Sequence, residues 1–375
     1  MRIGIDTRIL ASEGNIPFRN YTYQLLQYLS QHYVQHQLYA FSIVGNEDLV
    51  KDLRNVEIIY INPSATNLFS LKIWYDFKLS LALKKHEINL LICPNGVCSL
   101  TTKVPQILIV QHLDFNKKTT AASINSLSFY KKYTASFLKK AKTIAALSTN
   151  VRDEIVSRYN VQADKIAVTQ FAIPAFFKPI NWEEREAIKD QYAEGFEYFI
   201  FSAGLHPANN LVSVLKAFSI FKKWQKSGMK LLIIASNDKY LKPELDRLSN
   251  YKHRNDVYIQ KGLTPVAIAD LVAASYALIY TPSNAPSAHI ILEALQCDVP
   301  VIASNQDVIK DFAGESALYV DPAKPEEIAE AMKTIFKDEN LRSKMIAVAK
   351  QQNEIFHQNK TSVAIAQLID AAVSQ

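Results

Sequence analysis

Glycine is scarce in this chain, at 9 of 375 residues, where an ordinary protein uses about 7%. A phosphate cradle built on close backbone approach needs glycine, so such a cradle has few residues to draw on. Cysteine is scarcer still, with only Cys93, Cys98 and Cys297. That odd count, and an opening Met-Arg-Ile-Gly-Ile-Asp too polar for a secretory signal, exclude a disulfide framework and point to the cytoplasm. No Cys or His pair follows Cys93 and Cys98 at zinc spacing, so ordinary thiols are expected and no metal site. Apolar runs nowhere approach the roughly 18 residues of a spanning helix, which leaves a soluble or peripheral chain. Tracts of basic residues that would read a nucleic-acid groove are also missing. The net charge of +6 suits phosphate groups or an anionic membrane surface, and no nucleic-acid partner is expected.

What is present is alternation. Strand-like runs at Arg2 to Ile5, Leu38 to Val44, Glu57 to Ile61, Leu90 to Cys93, Ile107 to Val110 and Thr143 to Leu147 are interleaved with helical stretches, first at Tyr21 to Ser30. Ser148-Thr149-Asn150 offers a cap for a helix over Val151 to Tyr159. The two prolines of Ile173-Pro-Ala-Phe-Phe-Lys-Pro179 mark an exit from the first domain. A second cycle follows, with runs at Tyr198 to Ala203, Lys230 to Ala235, Asp256 to Gln260, Ala277 to Thr281 and Val299 to Ala303. Helices over Pro325 to Lys337, Leu341 to Phe356 and Thr361 to Val373 complete the chain. The pattern predicts an α/β protein of two doubly wound, Rossmann-like domains, 1–175 and 176–350. A helical segment, 351–375, then packs back on the first. Ligands of such sheets bind beyond the carboxyl ends of the strands.

Several segments, in order, carry a family resemblance: Arg2-Ile-Gly-Ile-Asp-Thr-Arg8, Tyr21-Thr-Tyr23, Val110-Gln-His112, Ala145-Ala-Leu-Ser148, Lys165-Ile-Ala-Val168, Ser202-Ala-Gly-Leu-His-Pro-Ala-Asn-Asn-Leu211, Tyr276 to Asn305 and Ala317-Leu-Tyr-Val-Asp-Pro322. From Met1 to about Phe356 the chain resembles a retaining glycosyltransferase of family 4. The resemblance implies a GT-B fold, its two Rossmann-like domains facing across a cleft. A nucleoside diphosphate sugar would be held by the second domain and the acceptor by the first. GT-B enzymes work without a divalent metal, and no Asp-x-Asp triplet occurs, so no cofactor is expected.

The donor motif departs from the family at several points. The usual Glu-Gly-Phe-Gly is Ala285-Pro-Ser-Ala288, while the second acid remains as Glu293, which the resemblance assigns to the ribose hydroxyls. Ala285 cannot take the first acid's role. In the loop Gly204-Leu-His-Pro-Ala-Asn-Asn210, the family's diphosphate-clamping lysine falls on Asn209, and no arginine is present. His206 is the ionisable group left there. That loop is either a weakened phosphate site or an inert turn capped by Asn209 or Asn210. His289, four residues before Glu293, and the amides near Ala288 could meet phosphate; His289 could equally be an ordinary exposed histidine near a helix start. His112 matches the first-domain histidine near the donor sugar and is the expected catalytic residue, or else a histidine satisfied at a strand end. Arg19, in the loop Gly14-Asn-Ile-Pro-Phe-Arg-Asn-Tyr21, is either a phosphate contact or a solvated surface charge.

Two stretches mix aromatics with lysines: Leu68 to Lys85, with Phe69, Trp74, Tyr75 and Phe77, and Tyr130 to Lys142, with Tyr133 and Phe137. Each reads either as a membrane-surface helix or as core aromatics with lysines in water. The resemblance implies transfer of mannose or another hexose, with retention, to a glycan or lipid-linked acceptor in surface-polysaccharide synthesis, with a peripheral contact to the inner membrane face. The eroded motif leaves open a second reading, a non-catalytic binding or partner subunit of a glycan-assembly complex.

Overall fold

Short runs of apolar residues buried on both faces form the strands, and each is followed by a helix that covers a face of its sheet. A computed structural model describes the chain except residues 12–15, 44–52, 54, 63–67, 112, 114–123, 170–172, 203, 236–242, 244–245, 247, 284–288, 356–357 and 374–375. The chain forms two compact units, Met1–Ala172 with His357–Gln375, and Ile173–Phe356.

Unit 1 has a seven-stranded sheet of order β3-β2-β1-β4-β5-β6-β7. Its strands are β1 Arg2–Asp6, β2 Gln37–Ser42, β3 Val56–Tyr60, β4 Leu90–Cys93, β5 Gln106–Val110, β6 Thr143–Ala146 and β7 Ile166–Val168. All neighbours are parallel, as βαβ crossovers require. Gly4 lets β1 pack closely, since a Cβ there would lie 2.7 Å from Phe41 Cε2. The last helix, Gln358–Val373, buries Ile365, Leu368, Ile369 and Ala372 and touches β4 to β7.

Unit 2 has a six-stranded parallel sheet of order β10-β9-β8-β11-β12-β13. Its strands are β8 Tyr198–Phe201, β9 Lys230–Ala235, β10 Val257–Lys261, β11 Ala277–Tyr280, β12 Val301–Ser304 and β13 Ala317–Val320. Phe199, Phe201, Phe218, Phe221 and Met332 centre its core, joining the sheet to helices Leu211–Trp224 and Pro325–Lys337. Lys230 is buried at the start of β9, where Glu194 and Asp256 receive its charge.

Three local readings need correction. Strands β7 and β13 were absent from the sequence pattern; they are short sheet edges with half-buried positions, which weakens the apolar signal. The first helix starts at Ile16 rather than Tyr21. Pro17 is its second residue, where a missing N–H costs nothing. Arg19 therefore lies within a helix instead of a loop, although its side chain is outside the described residues. Ser148 caps Thr149–Tyr159 as expected, accepting from the Val151 amide at 3.2 Å.

Candidate functional site

In both sheets the chain changes winding direction beside the first strand, between β1 and β4 and between β8 and β11. The divergence of loops at such a switch point leaves room for a ligand. Polar side chains gather at each.

In unit 2 the loop after β8 carries Gly204 at φ +78°, a left-handed turn that glycine tolerates. The His206 ring accepts the Ala208 amide at Nδ1, 3.1 Å away, which assigns the hydrogen of the neutral ring to Nε2. Asn209 donates from Nδ2 to the Gly204 carbonyl at 3.2 Å. Asn210, also left-handed at φ +60°, donates to the Thr281 carbonyl at 2.8 Å and to Ser283 Oγ at 2.9 Å. The Ser283 amide returns a bond to the Ala208 carbonyl at 2.6 Å. Pro282 O accepts from Ser304 Oγ at 2.7 Å and Gln306 Nε2 at 2.6 Å. Three strand ends, β8, β11 and β12, are thus tied by side-chain bonds. The amide of Asn209, at the family's lysine position, and that of Asn210 both donate to main-chain carbonyls.

Glu293 belongs to the helix His289–Gln296, which packs on β11 and β12. It is 7% exposed, and its carboxyl has no hydrogen-bond or ion-pair partner among the described residues. Burial raises its pKa from 4.5 to about 8. His289, one turn earlier, is 6% exposed, and burial lowers its pKa to about 4. The ring is thus buried and neutral near pH 7, where the sequence also allowed an exposed or cationic one. The thiol of Cys297, one turn later, is pushed up by burial and then by Glu293. An unpaired buried acid is costly in a merely structural helix. A vicinal diol could supply the donors it lacks.

Ala285, Ala288 and His112 lie outside the described residues. Of the neighbours of His112, Gln111 and Leu113 are buried, and Gln111 Nε2 donates to the Pro94 carbonyl at 3.4 Å.

The switch point of unit 1 holds a cluster that the sequence reading did not single out. Arg8 Nε meets Asp6 Oδ1 at 3.3 Å, Arg8 Nη2 donates to Tyr75 Oη, and Tyr75 Oη donates to Asp6 Oδ2. The guanidinium carbon lies 4.3 Å from the Trp74 ring centre and 4.4 Å from that of Tyr75. Asp6 is fully buried. Burial, then the Asp6 charge, holds the Tyr75 phenol well above its usual range. Nearby strand ends carry Asn95 and Gln111, whose buried side-chain oxygens accept no hydrogen bond among the described residues. A signal existed: Asp6 and Arg8 are charges set immediately at the end of an apolar strand.

Among the described residues, no three His, Cys, Asp or Glu side chains gather as a metal site, and no helix is long and apolar enough to cross a membrane.

Two parallel sheets of this order, each wound in both directions from its first strand, match the GT-B class. Solved structures agree at the level of fold. A glycosyltransferase from Rickettsia africae superposes with a TM-score of 0.77 at 17% identity, covering 99% of this chain and 98% of that one. Anabaena Alr3699/HepE, solved with UDP-glucose, gives 0.76 at 14% identity over 99% and 100% of the two chains. WaaG, a glycosyltransferase of lipopolysaccharide biosynthesis, gives 0.75 at 14% identity over the full length of both. The profile described as Glycosyltransferase Family 4 matches residues 19–173, and that described as Glycosyl transferases group 1 matches 183–352. The chain belongs to the family 4 glycosyltransferases.

Among curated relatives, the O-antigen chain mannosyltransferase RfbU of Salmonella typhimurium is 24% identical over 74% of each chain. The O-antigen chain mannosyltransferase B of Escherichia coli is 25% identical over 57% of this chain. That match spans 58% of the length of the Escherichia coli protein.

Proposed function

We propose that the chain transfers mannose or another hexose from a nucleoside diphosphate donor to a glycan or lipid-linked acceptor, with retention and without a metal or other cofactor. The reading is supported most by Glu293, a buried carboxyl that meets no donor among the described residues and that a ribose diol would satisfy. The names of the O-antigen mannosyltransferase relatives support the sugar and the polysaccharide setting, and the UDP-bound neighbour supports the donor class. The working compartment is the cytoplasm.

In this reading the ribose hydroxyls donate to Glu293. The departing diphosphate gains charge as the glycosidic bond to it breaks, so donors aimed at its oxygens lower the barrier. His206 supplies an Nε2–H, joined by amides near Gly204 and Ala288, with Asn209, Asn210 and His289 shaping the surrounding loops. Arg19 adds a charge at the phosphates. His112 meets the donor sugar, where positive charge develops at the anomeric carbon. Without a lysine and arginine clamp in the loop after β8, Arg19 is the one charged contact and the other donors are neutral, with bonds about half as strong as charged ones. Turnover on the slow side is expected.

A non-catalytic binding subunit is the second reading. It is favoured by one observation, the engagement of Asn209 and Asn210 with main-chain carbonyls rather than with space for phosphate. Incubation with radiolabelled GDP-mannose, UDP-glucose and UDP-galactose separates the two. Release of labelled sugar or labelled product above that of a His112→Ala variant supports the enzyme. Binding of nucleotide with no release from any donor supports the partner subunit.

A further inference from the structure

Two carbonyl oxygens at the switch point of unit 1 are buried with nothing to receive. Gln111 Nε2 donates to the Pro94 carbonyl at 3.4 Å, which fixes the amide and leaves Oε1 as an acceptor without a donor among the described residues. Asn95 Oδ1 is in the same state. The two side chains are 6% and 7% exposed. They sit past the ends of neighbouring strands, Asn95 after β4 and Gln111 after β5. The main chain around Asn95 is held from two sides. Gly96, left-handed at φ +66°, gives its amide to the Ile109 carbonyl at 3.0 Å, and Tyr130 Oη donates to the Asn95 carbonyl at 3.2 Å. An unmatched buried carbonyl oxygen is costly and rare in a folded chain, and two at one sheet end call for donors from outside.

Arg8 supplies the opposite kind of group. Its main-chain amide and Nε go to Asp6 Oδ1 and its Nη2 to Tyr75 Oη, while Nη1 meets no acceptor among the described residues. The guanidinium lies over the Trp74 and Tyr75 rings, which hold it in place, and Asp6 balances its charge within the unit. Tyr130 stands in the fields of both Arg8 and Asp6, which joins this group to Asn95. The switch point thus offers a fixed N–H donor and two carbonyl acceptors.

We propose that Asn95 and Gln111, with Arg8 Nη1, form a subsite for the hydroxyls of an uncharged sugar and so select the acceptor of the transfer reaction. A hydroxyl donates one hydrogen bond while accepting another, so two sugar hydroxyls satisfy both carbonyl oxygens and the guanidinium together. A phosphate or carboxylate group can only accept. It would match Arg8 but set its oxygens against those of Asn95 and Gln111, and Asp6 already cancels the attraction that would offset this. The sugar that receives the new bond is therefore neutral at this subsite. Its use as an acceptor site rests on the transferase reading; the preference for an uncharged polyol does not.

Ligand-observed NMR titration tests it with the methyl glycosides of mannose, glucose, galactose, rhamnose and N-acetylglucosamine, beside mannose 6-phosphate and methyl glucuronide. A neutral glycoside should bind about tenfold or more tightly than either anion. Asn95→Leu and Gln111→Met keep the side-chain volume and each remove one carbonyl oxygen, so each should weaken that binding about tenfold. The melting temperature of Asn95→Leu should stay or rise, because an unmatched buried group is lost; a merely structural asparagine would lower it and leave binding alone. Binding of none of the neutral glycosides, preference for an anion, or binding that both variants leave unchanged would overturn the proposal. Sugar binding of the expected kind without transfer from any labelled donor would remove the enzymatic reading and leave the subsite standing. Transfer at wild-type rates and acceptor affinity in both variants would overturn the subsite alone.

Discussion

Glu293 follows His289 by one helical turn, and burial drives their ionisation in opposite directions, the acid up to about 8 and the imidazole down to about 4. Near neutral pH both are uncharged. The folded unit tolerates them as neutral groups, and stability must decline when either is made to ionise.

The sign differs for the two. Unfolded, Glu293 loses its proton near 4.5, but folded it keeps it to about 8, so its contribution is full below 4.5 and is lost as pH rises to 8. His289 is charged below 6.5 when unfolded and stays neutral to about 4 when folded, so its contribution is full above 6.5 and is lost as pH falls to 4. Urea melts from pH 4 to 9 should place a stability maximum between these limbs. Glu293→Gln should flatten the alkaline limb, an effect on the order of a few kcal/mol. An unchanged alkaline limb in that variant would mean the acid is not buried.

Asn210 bridges the ends of β8 and β11 from a left-handed backbone. Asn210→Gly keeps that conformation and loses the bonds, at a cost of about 1–3 kcal/mol. Asn210→Ala adds backbone strain of about 1 kcal/mol or more. Denaturant midpoints should therefore fall in the order wild type, glycine, alanine.

Arg8 neutralises the fully buried Asp6. Arg8→Met strands that carboxylate, for about 3–5 kcal/mol, whereas Arg8→Met/Asp6→Asn should recover much of the loss. Calorimetric melting of the four proteins closes the cycle. Additive losses would show that the pair is not coupled.

Gly4→Ala should destabilise by about 1–3 kcal/mol, because the new methyl meets the Phe41 ring within β1 and β2 packing. Phe41→Leu in the same chain should return part of that, as read by the shift in melting temperature.

Much of the architecture was legible because apolar runs such as Tyr198 to Phe201 and Lys230 to Ala235 are buried on both faces and break cleanly at polar loops. Two edge strands were not, although the edges Val56–Tyr60 and Val257–Lys261 were: Ile166–Val168 and Ala317–Val320 mix buried with half-buried positions, which weakens the apolar signal. In the site, Glu293 was visible as a lone acid in an apolar helix. What its neighbours do was not, because the direction of a side-chain amide depends on strands distant in sequence. Asn210 finds its partner at Thr281, and Arg8 finds Tyr75, across separations that local patterns do not report.

The account turns on Glu293 as the ribose partner, and titration calorimetry tests this with UDP and GDP beside their 2′,3′-dideoxyribose analogues. Wild-type protein should lose about tenfold or more in affinity when the diol is removed, and Glu293→Ala should bind both forms equally weakly. An equal penalty for the dideoxy form in both proteins, or no binding of any nucleotide, would contradict it.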